Sequence, residues 1–196
     1  MKTQILAWLV SQMLGWTLPP ARHEAERARY ETIAADALAV ATDPDEKPLF
    51  QGPEGRLRTA TLLLAIASFE SSFARDVEDG RRRGDHGESA CLAQIRLPGS
   101  ARIEMRGELY GYGPAGWSKA DLEADRRKCF RAALHIARES YRLCGNLSIY
   151  STGTCIRAGE PHGTHRELRA KSALKARPEK WDDTALADFI EPKPRT

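Results

Sequence analysis

The chain has 196 residues, 41% of them hydrophobic and 29% charged. That balance fits a globular protein with one main domain and terminal segments, and it excludes a largely disordered, collagen-like or low-complexity chain. The 30 Lys and Arg against 27 Asp and Glu leave a formal net charge of +3, too small for a nucleic-acid-binding module, so no nucleic-acid partner is expected; mild basicity suits an anionic polymer.

Lys2 precedes an apolar run from Ile5 to Trp16. The run is shorter than the ~20 apolar residues a membrane span needs. Ser11 and Gln12 interrupt it, and no A-x-A site precedes Pro19-Pro20, so a docking helix is favoured over a cleaved signal. Ile5, Trp8 or Leu9, Gln12 or Met13, and Trp16 would form its apolar face. The two prolines end that segment. Residues 21 to 41 are Ala-rich, with Tyr30, Ile33, Ala37 and Val40 at helical steps. A Pro- and Gly-marked loop follows, and helix resumes at Arg56 and runs to about Ala74. It is so apolar, through Leu57, Leu62, Leu63, Leu64 and Ile66, that it belongs at the centre of a core.

The polar stretch Asp76 to Ser89 holds the triplet Arg81-Arg82-Arg83, read as a solvated loop. Ala90 to Leu97 is a short strand or a helix entry. Gly107 to Trp117 is a Gly/Tyr loop. Lys119 to Cys144 has the pattern of one long helix, with Ser118 as N-cap, Asp121 in the capping-box position and Gly145 as its stop. In the tail, Trp181, Ala185 and Phe189 share a helical face, which makes it a docking segment. The expected fold class is mainly α, with a short hairpin or irregular insertion near residues 77 to 97. The expected division is a helical N-terminal segment over 1–50, a main domain over 51–165 and a docking tail over 166–196.

Cys91, Cys129, Cys144 and Cys155 form an even set without CxxC spacing. Two disulfides, four buried thiols, or a zinc site of Cys144, Cys155, His162 and His165 are the three readings, and disulfides require an oxidising compartment.

Chemistry concentrates in Ala65-Ile66-Ala67-Ser68-Phe69-Glu70-Ser71-Ser72-Phe73. A carboxyl at the end of an apolar helix, flanked by Phe69 and Phe73, should have a raised pKa, because desolvation disfavours its charged form. A carboxyl protonated near neutral pH is what general-acid cleavage of a glycosidic bond requires. Ser71 and Ser72 are candidates to hydrogen-bond it or to cap the helix.

Glu70-Ser71-Ser72-Phe73 resembles the E-S-x-F signature of the lysozyme-like lytic transglycosylases of the soluble (SLT) type. Cys91-Leu92-Ala93-Gln94-Ile95 resembles their G-L-M-Q-I motif, and Ile149-Tyr150-Ser151-Thr152-Gly153 their Y-N-A-G motif. Gly84-Asp85-His86-Gly87 is similar to the G-D-x-G of goose-type lysozymes, which share that fold. The resemblance covers about residues 55 to 160. Cys91 stands for the family's Gly, Ala93 for Met, and Ser151 and Thr152 for Asn and Ala.

The resemblance implies a lysozyme-like helical domain in which Glu70 is the catalytic acid/base. Gln94 would line the sugar cleft and Tyr150 would point its hydroxyl at Glu70, with Ser71 and Asp85 as further substrate contacts; separately, Tyr112, with Tyr110 and Trp117 in the Gly-rich loop, is a candidate to stack on the apolar face of a sugar ring. The implied reaction is cleavage of the bond between N-acetylmuramic acid and N-acetylglucosamine with one carboxylate, closing an anhydromuramic ring without water or cofactor. Asp76, Glu78, Asp79, Asp85 and Glu88 lie just downstream, so a second carboxylate for hydrolysis is available, Asp85 foremost. The resemblance also implies the pairs Cys91–Cys129 and Cys144–Cys155, a monomer acting on peptidoglycan strands, and a periplasmic or wall-facing location. A non-catalytic wall-binding module is the contrasting reading, against which an acid kept in an apolar setting speaks.

Overall fold

The computed structural model describes residues 2–97, 116–155 and 164–189. The apolar N-terminal run forms helix α1 (Lys2–Thr17), and its Ile5, Trp8, Leu9, Val10, Met13 and Leu14 are buried. After a short 3₁₀ turn at the prolines, α2 (His23–Thr42) buries Tyr30, Ile33, Ala37 and Val40, the stripe its periodicity marks. Helix α3 (Gly55–Glu70) buries 12 of its 16 residues. No face of it is polar enough to meet water, so α1, α2 and the helices over Arg126–Cys144 and Thr164–Lys175 surround it. Asp183 from the tail accepts hydrogen bonds from Arg56 N at 3.0 Å and Leu57 N at 3.4 Å, which satisfies orphan amides at the start of α3.

α3 ends at Glu70, four residues before the expected Ala74. Ser72 and Phe73 take left-handed φ values of 50° and 53°, and the Ser71 hydroxyl donates to Ala67 O and accepts from Phe73 N. Serine hydroxyls that bond the local backbone compete with helix continuation, which is why the chain turns there. The next elements are α4 (Arg75–Glu78), a 3₁₀ turn at Asp85–Gly87, and a two-stranded antiparallel hairpin of β1 (Ser89–Ala90) and β2 (Ile95–Arg96). The register pairs Ser89 with Arg96 and Ala90 with Ile95, so residues 90 to 97, expected as one short strand or a helix entry, are instead the ends of two strands around a turn at 91–94.

The long helix expected over 119–144 is two helices, α5 (Lys119–Ala124) and α6 (Arg126–Cys144). Asp125 adopts an extended φ of −138°, and its side chain caps α6 by accepting from Arg127 N and Lys128 N. Ser118 and Asp121 do form the capping box, and Gly145 stops α6 at φ 70°. Helix α7 (Ser148–Thr152) and helix α8 (Thr164–Lys175) follow. The tail then ends in a 3₁₀ helix at Asp183–Phe189. Trp181, Ala185 and Phe189 are buried, and the Trp181 ring meets Trp8 edge-on at 5.5 Å, so both ends of the described chain join one core.

Cys91 pairs with Cys129 at a Cα–Cα distance of 6.1 Å, and Cys144 with Cys155 at 5.4 Å. These are the pairs implied above, and they remove the zinc and free-thiol readings, since bonded sulfurs are neither ligands nor thiols. Among the described residues no helix is long and apolar enough to cross a membrane.

Candidate active site

Four elements meet around a cavity of about 450 Å³. The end of α3 contributes Glu70, the turn before β1 contributes Gly84 and Asp85, the hairpin contributes Gln94, and α7 contributes Ile149 and Tyr150. α7 packs on α6, and the Cys91–Cys129 bridge ties the hairpin turn to that same helix. The residues of all four motifs thus share one wall although they are up to 80 positions apart.

The backbone around the cavity is unusual. The non-glycine residues with left-handed φ among those described are Ser72, Phe73, Asp85, His86, Cys91 and Gln94. All lie in the segment that shapes the site. Such conformations cost side chains energy and persist where surrounding contacts hold them. At Cys91, with φ 60°, the disulfide provides the hold.

Glu70 is the last residue of α3, with a side chain 19% exposed. Burial pushes its carboxyl above the usual carboxylate range, Arg166 pulls it back, and the charge of Asp85 adds to the upward push; the net direction is up. Arg166, on α8, donates from Nε at 3.0 Å and from Nη2 at 2.5 Å, both to Oε1. Phe69, expected to flank the carboxyl, is instead 40% exposed, with the Arg169 guanidinium 3.8 Å from its ring centre. Phe73 is buried against Tyr30.

Gln94 lines the cavity with its amide held at both ends: Oε1 accepts from Gly84 N at 3.0 Å, and Nε2 donates to Cys91 O at 3.0 Å. Gly84 is needed for that approach, because a Cβ there would stand 2.3 Å from Gln94 Oε1. Tyr150 also lines the cavity, but its hydroxyl does not donate to Glu70. It donates to Ala93 O at 2.6 Å, clasping the hairpin turn. Burial, reinforced by the Glu70 charge, raises that hydroxyl well above its ordinary pKa, so it stays a donor.

Ser71, expected at the substrate, is taken up by the turn after α3 and is not in the cavity wall. Of the five acids downstream, Asp85 alone lines the cavity, and its Oδ2 accepts from Ser89 Oγ. Asp76, Glu78, Asp79 and Glu88 are engaged by Arg82, Arg29, Arg81 and Arg96 respectively. Tyr110 and Tyr112 lie outside the described residues.

Comparison of the chain with protein-family models, with curated proteins and with solved structures gives no match. Arg166 has no sequence signal: it is one cation in a basic tail, and only the packing of α8 along α3 brings it to Glu70. Gly84 could be read from the sequence as a turn former, but its role as the residue that admits Gln94 depends on a contact ten positions away.

The arrangement joins a desolvated carboxyl, a fixed amide and a buried phenol whose proton affinity is raised in one concave site. Burial makes Glu70 hold its proton to higher pH than a solvated carboxyl does, and the cavity gives it a place to present that proton to an acceptor. Asp85 offers a second carboxylate in the lining of the same cavity.

Proposed function

We propose that this chain is a peptidoglycan-cleaving enzyme with a lysozyme-like fold, acting as a lytic transglycosylase through Glu70. The observation that carries the reading is the convergence of Glu70, Asp85, Gln94 and Tyr150, the residues of four separate resembling motifs, on one cavity, with Glu70 desolvated there. The left-handed φ of Cys91 adds support, since this residue stands where the resembling motif has glycine, the residue that takes such a φ most easily.

In this reading protonated Glu70 gives its proton to the oxygen linking N-acetylmuramic acid to N-acetylglucosamine, and the bond from that oxygen to the muramic C1 breaks. The muramic 6-hydroxyl then bonds to C1, and its proton passes to the Glu70 carboxylate. The acid is regenerated, no water enters, and the product carries an anhydromuramic end. Gln94, held by Gly84 and Cys91, contributes a rigid polar wall for the sugar, and Tyr150 fixes the turn on which Gln94 stands. The two disulfides support a wall-facing or periplasmic location. A monomer meeting glycan strands suffices for this chemistry.

A goose-type hydrolase is the second reading, favoured by Asp85 in the lining of the same cavity. Digestion of purified walls followed by mass spectrometry separates the two. Anhydromuramic ends, lost in Glu70→Gln and largely kept in Asp85→Asn, are expected. Reducing ends, with a large loss in Asp85→Asn, favour the hydrolase, and near-wild-type release by Glu70→Gln overturns both.

A further inference from the structure

We infer that the seam between α3 and α8, at the end remote from Glu70, is a binding site for the free C-terminal carboxylate of a peptide whose last residue is aliphatic. Two cavities lie end to end there. The smaller, about 230 Å³, has walls from Phe50, Leu62, Tyr141, Ala170 and Leu174, with the Glu167 carboxylate also in its lining. The larger, about 550 Å³, is lined by Lys175, Arg177 and Lys180 among others. Arg58, Lys171 and Leu174 border both, so two cations stand where the apolar chamber opens into the cationic one.

The charges of this groove are out of balance. Its carboxylates are engaged within the protein: Glu54 by Arg177, Glu167 by the Tyr141 hydroxyl at 2.6 Å, and Glu179 by Trp181 Nε1 at 3.2 Å. Arg58, Lys171, Lys175 and Lys180 have no carboxylate partner among the described residues. Arg58 is half-buried, with its guanidinium 4.4 Å from the Phe50 ring centre, and Phe50 in turn meets Tyr141 edge-on at 5.7 Å. A guanidinium stacked this way is pre-oriented, and its fork matches a carboxylate.

The adjoining apolar chamber selects among anions. It has room for a branched aliphatic side chain and begins beside Arg58 and Lys171, so it fits a group whose carboxylate and side chain leave the same carbon, as at a peptide C-terminus. Inorganic phosphate would leave the chamber unused. Arg58 and Glu70 are twelve positions apart on α3, about 18 Å at the helical rise, so the two sites are separate.

The test uses the full chain titrated with acetyl-Gly-Ala-Leu bearing a free carboxylate, with the same peptide as its amide, and with inorganic phosphate, followed by amide NMR shifts. Saturable binding of the free acid, with shifts on Leu62, Ala170 and Leu174, is expected, weaker by about tenfold for the amide through loss of a charge-assisted hydrogen bond. Lys171→Gln, at an exposed position, and Arg58→Gln should each weaken it comparably while wall cleavage is unchanged. Equal binding of acid and amide, phosphate binding as tightly as the peptide, or no saturation at millimolar peptide overturns the assignment.

Discussion

Two nitrogens of Arg166 converge on a single oxygen of Glu70: Nε lies 3.0 Å and Nη2 2.5 Å from Oε1. Oε2 has no protein partner among the described residues. The two oxygens are therefore chemically unlike. Oε1 is held as an acceptor by a cation from another helix, and Oε2 is the one free to take and give a proton.

Arg166→Gln removes the influence that holds the Glu70 carboxyl down, so the carboxyl rises further. A step that needs protonated Glu70 then persists to higher pH. The alkaline limb of the pH–rate profile for muropeptide release should move to higher pH, the direction that removing a contacting opposite charge demands. A limb that stays in place means the ion pair does not govern the proton.

The raised pKa of Glu70 also carries a stability consequence. A carboxyl whose folded pKa lies above its unfolded value binds its proton more tightly in the folded state. Its contribution is full below the unfolded value of about 4.3 and is lost as pH rises through the folded one. Glu70→Gln cannot titrate, so it should gain on the wild type in Tm from acid towards neutral pH. Thermal melts across that range check the slope; parallel curves contradict it.

Gly84→Ala tests the seating of Gln94. The backbone at Gly84, φ −74°, accepts alanine, and the atom the new Cβ meets is the far end of a flexible side chain. Gln94 should swing away at a stability cost within about 1 kcal/mol. Its wall of the cleft is lost, and kcat/KM for wall cleavage should fall by about tenfold. Tm and initial rates measured together separate this from general unfolding.

The disulfides differ in the loop they close, 38 residues for Cys91–Cys129 and 11 for Cys144–Cys155. In the chain-entropy model removal costs about 4 and about 3 kcal/mol respectively. Paired Cys→Ala variants should therefore lose more stability at the first bridge. That variant should also lose more activity, because the first bridge anchors the turn that carries Gln94. Denaturant melts and cleavage assays of the two double variants give the order, and the reverse order contradicts it.

Apolar spacing alone located α1, α2 and the central α3, and capping residues located the start of α5 and the stop of α6, because these signals depend on neighbours three or four positions away. The left-handed turn after Glu70 and the break at Asp125 were not legible, because each depends on a side chain choosing its local backbone over the continuing helix. Glu70, Gln94 and Tyr150 could be singled out by residue type and resemblance. Their hydrogen-bond partners could not: Tyr150 serves Ala93 and Ser71 serves the turn. Arg166 on Glu70 was decided by the packing of α8 on α3 across 96 positions, and Gly84 under Gln94 by the fold of the hairpin. Helical periodicity is a property of the chain within a few residues. The proton affinity of Glu70 is set by whatever charges and apolar walls the finished fold brings within a few ångströms, and no local pattern encodes that.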